Sequence, residues 1–164
     1  MKTLFLIRHA KSSWNEPQLQ DSERPLNKRG KHDAPFMANI LYEKNENIDY
    51  IVTSPAKRAR TTAKHFAKRF ELKKSQIVQN EQLYLADEDD ILDIIHTLPD
   101  TAGAAALFGH NPGYTYFANL YTNYYIDNVP TCAIVKLFSV CDNWVDFQTD
   151  NTRLAGFYYP KQFS

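Results

Sequence analysis

The sequence predicts an α/β fold, a three-layer α/β/α sandwich around a mostly parallel central sheet with an antiparallel edge. Three observations carry this. Apolar runs too short for helices alternate with longer segments of helical spacing. Three of the short runs, ending at Ile7, Thr53 and Phe108, lead into polar or turn residues. Two strand-like runs close the chain across a short connection, as an antiparallel pair requires.

Thr3–Ile7 reads as a buried strand that runs straight into Arg8 and His9. A polar loop follows, holding Trp14, Pro17, Pro25 and Gly30. Phe36, Met37, Ile40 and Leu41 then have helical spacing, and Pro35 must lie in that helix's first turn or kink it. Tyr50–Thr53 is a second short strand, which Ser54-Pro55 turns into a helix. Its core stripe is Ala59, Ala63, Phe66, Ala67 and Phe70, with Lys57, Arg58, Lys64, Lys68 and Arg69 elsewhere on the wheel. Ile77–Gln79 is read as a third strand. Glu88–Leu98 has the pattern of a helix with acidic residues at its N-terminal end, where the helix dipole favours them. Ala104–Phe108 is a buried strand followed by the sequence GHNPG. Tyr114, Phe117, Tyr121 and Tyr124 stripe one more helix, a spacing that favours core packing over a docking surface. Ala133–Val140 and Asn143–Thr149 are the closing strands, around Cys141-Asp142-Asn143. There are no repeats, linkers or low-complexity tracts, so residues 1–164 are expected to form one domain with a substantial core.

Composition narrows the function. Lys+Arg and Asp+Glu both number 19, a formal net charge of zero. That argues against nucleic acid or an anionic membrane as a partner, while leaving room for a local pocket of positive charge. No apolar run approaches the ~20 residues of a membrane helix. Leu4–Ile7 is also too short for the roughly 7–15-residue core of a signal peptide. Cys132 and Cys141 lack metal spacing; they could face each other across the closing hairpin, but free buried thiols in a reducing compartment fit better. The expectation is a cytoplasmic protein.

In an open α/β sheet, ligands bind beyond the carboxyl ends of the strands. Arg8 and His9 follow the first strand, Ser54-Pro55 the second, and Gly109-His110 the run ending at Phe108. Arg58 lies one turn into the helix after Ser54. Two histidines and two arginines meeting at one edge would destabilise each other unless an anion sat between them. Guanidinium forks match phosphate oxygens, and helix N-termini add N–H donors. A phosphoryl group is the inferred ligand. A neutral imidazole among guanidinium groups keeps a ring nitrogen free to attack phosphorus, and a covalent phosphohistidine divides the transfer into two easier steps. The arginines and second histidine would hold the equatorial oxygens. Neither a metal nor another cofactor is required. Each motif alone has a plain reading as a surface turn or solvated helix residue; their meeting at three strand ends reverses it.

IRHAKS after the first strand, RPLNKRG, TSPAKRARTTA and FGHNPG resemble, in order, the motifs of the histidine phosphatase (phosphoglycerate mutase-like) superfamily. The short chain and the RHAKSSW…ERPL form resemble its small SixA-type phosphohistidine phosphatase branch. The resemblance implies that His9 is the phosphorylated nucleophile. Arg8 and Arg58 correspond to phosphate-binding arginines and His110 to the second active-site histidine, and Arg24 matches an arginine that reaches the phosphate in this branch. Larger members take a general acid from an inserted segment and usually begin RHG. This chain has His9-Ala10, and only Glu81, Asp87, Glu88, Asp89 and Asp90 offer carboxylates nearby, better suited to helix capping. A missing acid suits a phosphoramidate, whose leaving nitrogen can be protonated before the bond breaks. His32, His65 and His96 have no partners at ligand spacing and are read as surface residues.

The expected function is therefore a metal-independent phosphohistidine phosphatase, with a histidine-containing phosphotransfer domain as the implied partner. A phosphatase for small phosphate esters and a non-catalytic phosphate-binding module are the alternatives. A mutase fits less well, because the chain lacks insertions that could enclose its intermediate.

Overall fold

The computed structural model describes every residue from Met1 to Ser164. Six strands form one sheet: β1 (Lys2–Arg8), β2 (Tyr50–Thr53), β3 (Ile77–Gln79), β4 (Ala104–Gly109), β5 (Ile134–Ser139) and β6 (Thr152–Tyr158). Their order is β3-β2-β4-β1-β5-β6. The first four run parallel, while β5 is antiparallel to both β1 and β6. Four helices cover the faces: α1 (Lys28–Glu43), α2 (Lys57–Arg69), α3 (Glu88–His96) and α4 (Gly113–Asn119).

Side-chain alternation builds the layers. Successive strand residues point to opposite faces, so Phe5, Ile7, Ile51 and Phe108 pack with Met37 and Leu41 of α1 and Phe66 of α2. Leu4, Leu6, Val52 and Leu107 go to the other face, against Ile91 and Ile95 of α3 and Phe117 of α4. A sheet buried on both sides explains why its central strands read as continuous apolar runs. The three-layer sandwich with its antiparallel edge is the expected fold.

One local expectation is narrowed and two need correction. Pro35 lies two turns inside α1, which begins at Lys28 with Asn27 capping the Gly30 N–H. The missing Pro35 N–H leaves the Lys31 carbonyl without its helical partner, a loss the surrounding packing of Ala34, Met37 and Ala38 outweighs. Asn143–Thr149 is not a strand. Trp144–Asp146 forms a single 3-10 turn, and both Trp144 and Phe147 are buried. A strand would send residues three apart to opposite faces, whereas here both join one core. Asp100 caps the Trp144 N–H, and the indole donates to the Ala102 carbonyl. The true closing strand, β6, is only half-buried and contains a bulge against Lys136 and Leu137, which blurs its alternation. Finally, α4 ends at Asn119, so Tyr124 lies beyond it and is exposed, while Tyr114, Phe117 and Tyr121 are buried.

His96 is likewise more than a surface residue: its Nε2 donates to the Phe147 carbonyl at 2.9 Å, tying α3 to the 144–146 turn. Cys132 and Cys141 are free and buried. No helix is long and apolar enough to cross a membrane.

Candidate active site

Strand register brings the site together. Arg8 pairs with Gly109 across β1 and β4, so the next residues, His9 and His110, emerge side by side. Their ring centroids are 5.2 Å apart, close to the spacing of neighbouring strands. Thr53 pairs with Phe108, which sets Ser54 beside Gly109, and the Ser54 hydroxyl lies 2.8 Å from His110 Nε2. Arg58, in the first turn of α2, places Nη2 3.5 Å from His110 Nδ1.

Arg8 is anchored by Nη1 donating to the Val129 carbonyl at 2.9 Å, while its Nε is buried with no protein acceptor. Asn111, in GHNPG, donates to the same carbonyl and accepts from Thr115, so the loop and the 128–131 segment are fixed together. The β1 side is held by α1, whose Gly30 packs directly against Lys11; a Cβ there would lie 2.1 Å from the Lys11 carbonyl oxygen. Gly113 makes a similarly close approach to the Ala86 carbonyl.

The hydrogen bonds assign the tautomer of His9. Its Nδ1 lies 2.8 Å from the Ala10 carbonyl oxygen. A carbonyl only accepts, so Nδ1 carries the proton and Nε2 keeps its lone pair. Arg58 only donates, so His110 accepts at Nδ1 and donates from Nε2 to Ser54. Burial lowers the His9 pKa to about 4, reinforced by the charges of Arg58, Arg8 and Arg24 and opposed by the Ala10 carbonyl. Burial lowers that of His110 to about 3, with His9, Arg58 and Arg8 adding to the effect and Asp21 opposing it. Burial and the Arg58 charge also disfavour the charged form of Arg8. The cleft therefore presents neutral imidazoles among crowded cations, an arrangement that stabilises a bound anion and leaves a ring nitrogen able to attack it.

An acid-side instability follows. Because both folded-state values lie below the ordinary 6.5, the unfolded chain takes up protons first as pH falls. Stability is unaffected by these groups above about pH 6.5. It then declines toward pH 4 at up to about 1.4 kcal/mol per pH unit for each imidazole. NMR titration of the ring signals checks the origin: midpoints of His9 and His110 near 6.5 would contradict it.

Arg24 differs from the other arginines. It is buried, and its three nitrogens donate to the Ser13 carbonyl, Asp21 and the Ser12 hydroxyl, with its guanidinium stacked on Trp14. Sequence reasoning missed Asp21 and Tyr84. Asp21 accepts from Arg24 and Arg58 and from the Tyr84 hydroxyl, and the Tyr84 ring meets His110 edge-on. The available signal was Asp21 three residues before Arg24, an ion-pair spacing. Of the carboxylates singled out, Asp87 caps α3 in a reciprocal box with Asp90, Glu88 and Asp89 occupy its first turn, and Glu81 opens the 3-10 turn before Tyr84. No three His, Cys, Asp or Glu side chains converge in a metal-ligating arrangement. Arg8 also lines a neighbouring concavity of about 350 Å³ with Lys11, Arg29 and Lys161, and no carboxylate lines it.

Paired imidazoles and guanidinium groups at the carboxyl edge of a doubly covered sheet are chemically suited to holding a phosphoryl group. The profile of the histidine phosphatase superfamily (branch 1) matches residues 4–84. An uncharacterised chloroplastic protein of Arabidopsis thaliana is 43% identical over 63 residues, 38% of this chain and 29% of that one. An uncharacterised Mycobacterium leprae protein is 26% identical over 167 residues, covering 94% of this chain and 100% of that one. A structure from Agrobacterium tumefaciens, assigned as the phosphohistidine phosphatase SixA, superposes with a TM-score of 0.77 at 25% identity, over 97% of this chain and 98% of that one. Over residues 4–84 the chain matches the histidine phosphatase superfamily, and that match together with the shared fold supports a phosphatase.

Proposed function

We propose that the protein is a metal-independent phosphohistidine phosphatase, in which His9 Nε2 attacks the phosphoryl group and carries it as a covalent intermediate. Arg8 and Arg58 hold the phosphoryl oxygens and meet the charge that grows on them in the transition state, and His110 joins them by turning its Nε2–H from the Ser54 hydroxyl to a phosphoryl oxygen. Arg24 supports the phosphate site by holding the Ser12–Ser13 loop that follows His9. Water then attacks the phosphohistidine and releases inorganic phosphate, returning His9 to its starting tautomer.

The observation that carries this reading is the fixed His9 ring, with Nδ1–H on the Ala10 carbonyl and Nε2 free beside the guanidinium groups. The substrate class rests on the leaving group. Asp21 is the carboxylate at the cleft, and hydrogen bonds from Tyr84, Arg58 and Arg24 outweigh its burial and hold it well below the usual carboxylate range. An acid so strong donates no proton at neutral pH, which favours a leaving nitrogen already protonated over an alkoxide. The cationic concavity beside Arg8 suits an acidic protein surface, such as that of a histidine-containing phosphotransfer domain.

The test is a comparison under identical conditions, in the presence of a chelator, of a phosphorylated phosphotransfer domain with a panel of alkyl and aryl phosphate esters. The expected result is fast turnover of the phosphoprotein, tolerance of aryl phosphates with good leaving groups, and poor turnover of alkyl phosphates. Brisk alkyl phosphate hydrolysis with an inert phosphoprotein would overturn the assignment.

A further inference from the structure

Asp21 is the most heavily hydrogen-bonded acid of the cleft, and the reaction as described gives it no task. It opens a single 3-10 turn, Asp21–Glu23, before Arg24. Oδ1 accepts from Arg24 Nη1 at 3.0 Å, and Oδ2 accepts from Arg58 Nη2 at 2.9 Å and from the Tyr84 hydroxyl. Arg58 Nη1 also donates to the Asp21 backbone carbonyl at 2.6 Å. Two arginines and a tyrosine from three separate parts of the chain thus fix one carboxylate in place and in its charged form.

Its position matters as much as its charge. The Asp21 side chain is 44% exposed, whereas His9 and His110 are 7% and 3% exposed. The nucleophile is at the floor of the cleft and Asp21 is at its mouth. In-line displacement by a nucleophile on the floor directs the leaving group toward the mouth. Arg58 can serve both sides, since a guanidinium has five N–H donors and those given to Asp21 leave Nε–H and others for the phosphoryl oxygens.

We propose that Asp21 sets the leaving-group specificity of the enzyme, selecting phosphoryl groups bound to a nitrogen that carries positive charge. This rests on the phosphohistidine reading. In that substrate the phosphoryl group is on one ring nitrogen, and the other ring nitrogen takes up a proton. The carboxylate stabilises this protonated ring and accepts its N–H. His9 Nε2 then forms the new N–P bond, the substrate's N–P bond breaks, and its electron pair returns to the leaving nitrogen, which departs as neutral imidazole. The proton stays on the distal nitrogen throughout, so no general acid is needed. With an ester the same step drives negative charge onto oxygen beside a fixed negative carboxylate, which raises the barrier. Asp21 thus promotes one class of leaving group and opposes the other.

The test uses three substrates: a phosphohistidine protein, phosphoramidate (whose leaving group is ammonia) and p-nitrophenyl phosphate. The quantity read is the ratio of kcat/KM for nitrogen-linked over oxygen-linked phosphate. For Asp21→Asn, turnover of both nitrogen-linked substrates falls while that of p-nitrophenyl phosphate rises, so the ratio drops by roughly 10–100-fold, the scale of one charge-assisted contact. Asp21→Glu, which keeps the charge, retains the preference for nitrogen. If Asp21 only braced Arg58 and Arg24, both classes would fall together and the ratio would hold, which overturns the proposal. Asp21→Ser serves as a second, smaller neutral replacement with the same expected drop in ratio. Parent protein that hydrolyses phosphoramidate but no phosphohistidine protein defeats the substrate assignment alone, and the ratio still decides the role of Asp21. Parent protein inert toward every nitrogen-linked phosphate defeats both.

Discussion

Replacing His9 with alanine removes turnover of every phosphate substrate, by roughly 10⁴–10⁶-fold, the scale on which loss of a covalent nucleophile acts. The magnitude follows from how completely the site is committed to that ring. His9 emerges from β1 already hydrogen-bonded through Nδ1, so its Nε2 needs no proton removed and no rotamer found before attack. His110 cannot substitute, because its Nε2 is engaged with the Ser54 hydroxyl and its Nδ1 faces Arg58. Circular dichroism and thermal unfolding should show His9→Ala folded, since the lost ring is uncharged and its hydrogen bond to the adjacent Ala10 carbonyl is local. Activity of His9→Ala within tenfold of the parent would remove His9 from the mechanism.

The second large effect is expected at Arg58. Arg58→Ala should lower kcat/KM by at least about 100-fold, toward the upper end of what a charge-assisted contact supplies. Two losses add. The buried guanidinium, 4% exposed, no longer meets phosphoryl charge beside His110, and Asp21 loses the two hydrogen bonds that Arg58 gives it. Arg8→Ala should cost roughly 10–100-fold. Arg24→Ala should cost less, because its nitrogens already serve Ser13, Asp21 and Ser12. A larger loss at Arg24 than at Arg58 would contradict this geometry.

Much of this site was legible because the residues that carry it stand immediately beyond strands. Arg8-His9, Ser54 and Gly109-His110 each follow an apolar run whose burial leaves little choice of secondary structure, and parallel pairing then brings the three ends to one edge. What escaped notice depends on loop conformation. Asp21 and Tyr84 are 63 residues apart and meet only because two short 3-10 turns fold over the same cleft. No periodicity records such a meeting. The sequence pointed instead to Glu81 and to the acidic run after Tyr84, in which Asp87 and Asp90 cap the start of α3. The misread closing strand has the same origin. Trp144 and Phe147 carry enough hydrophobicity for a strand, but Asp100 and Ala102, distant in sequence, supply the hydrogen bonds that make a turn preferable.

The central claim, a phosphoryl group carried on His9, is tested most directly by rapid quench with substrate labelled in the phosphoryl group. Within the first turnover the protein should acquire label that is stable in base and lost in acid, and peptide mapping should place it on His9 alone. The adduct should decay as fast as inorganic phosphate appears. Release of phosphate with no labelled protein at any time, or label found on His110 with His9 unmodified, would contradict the account.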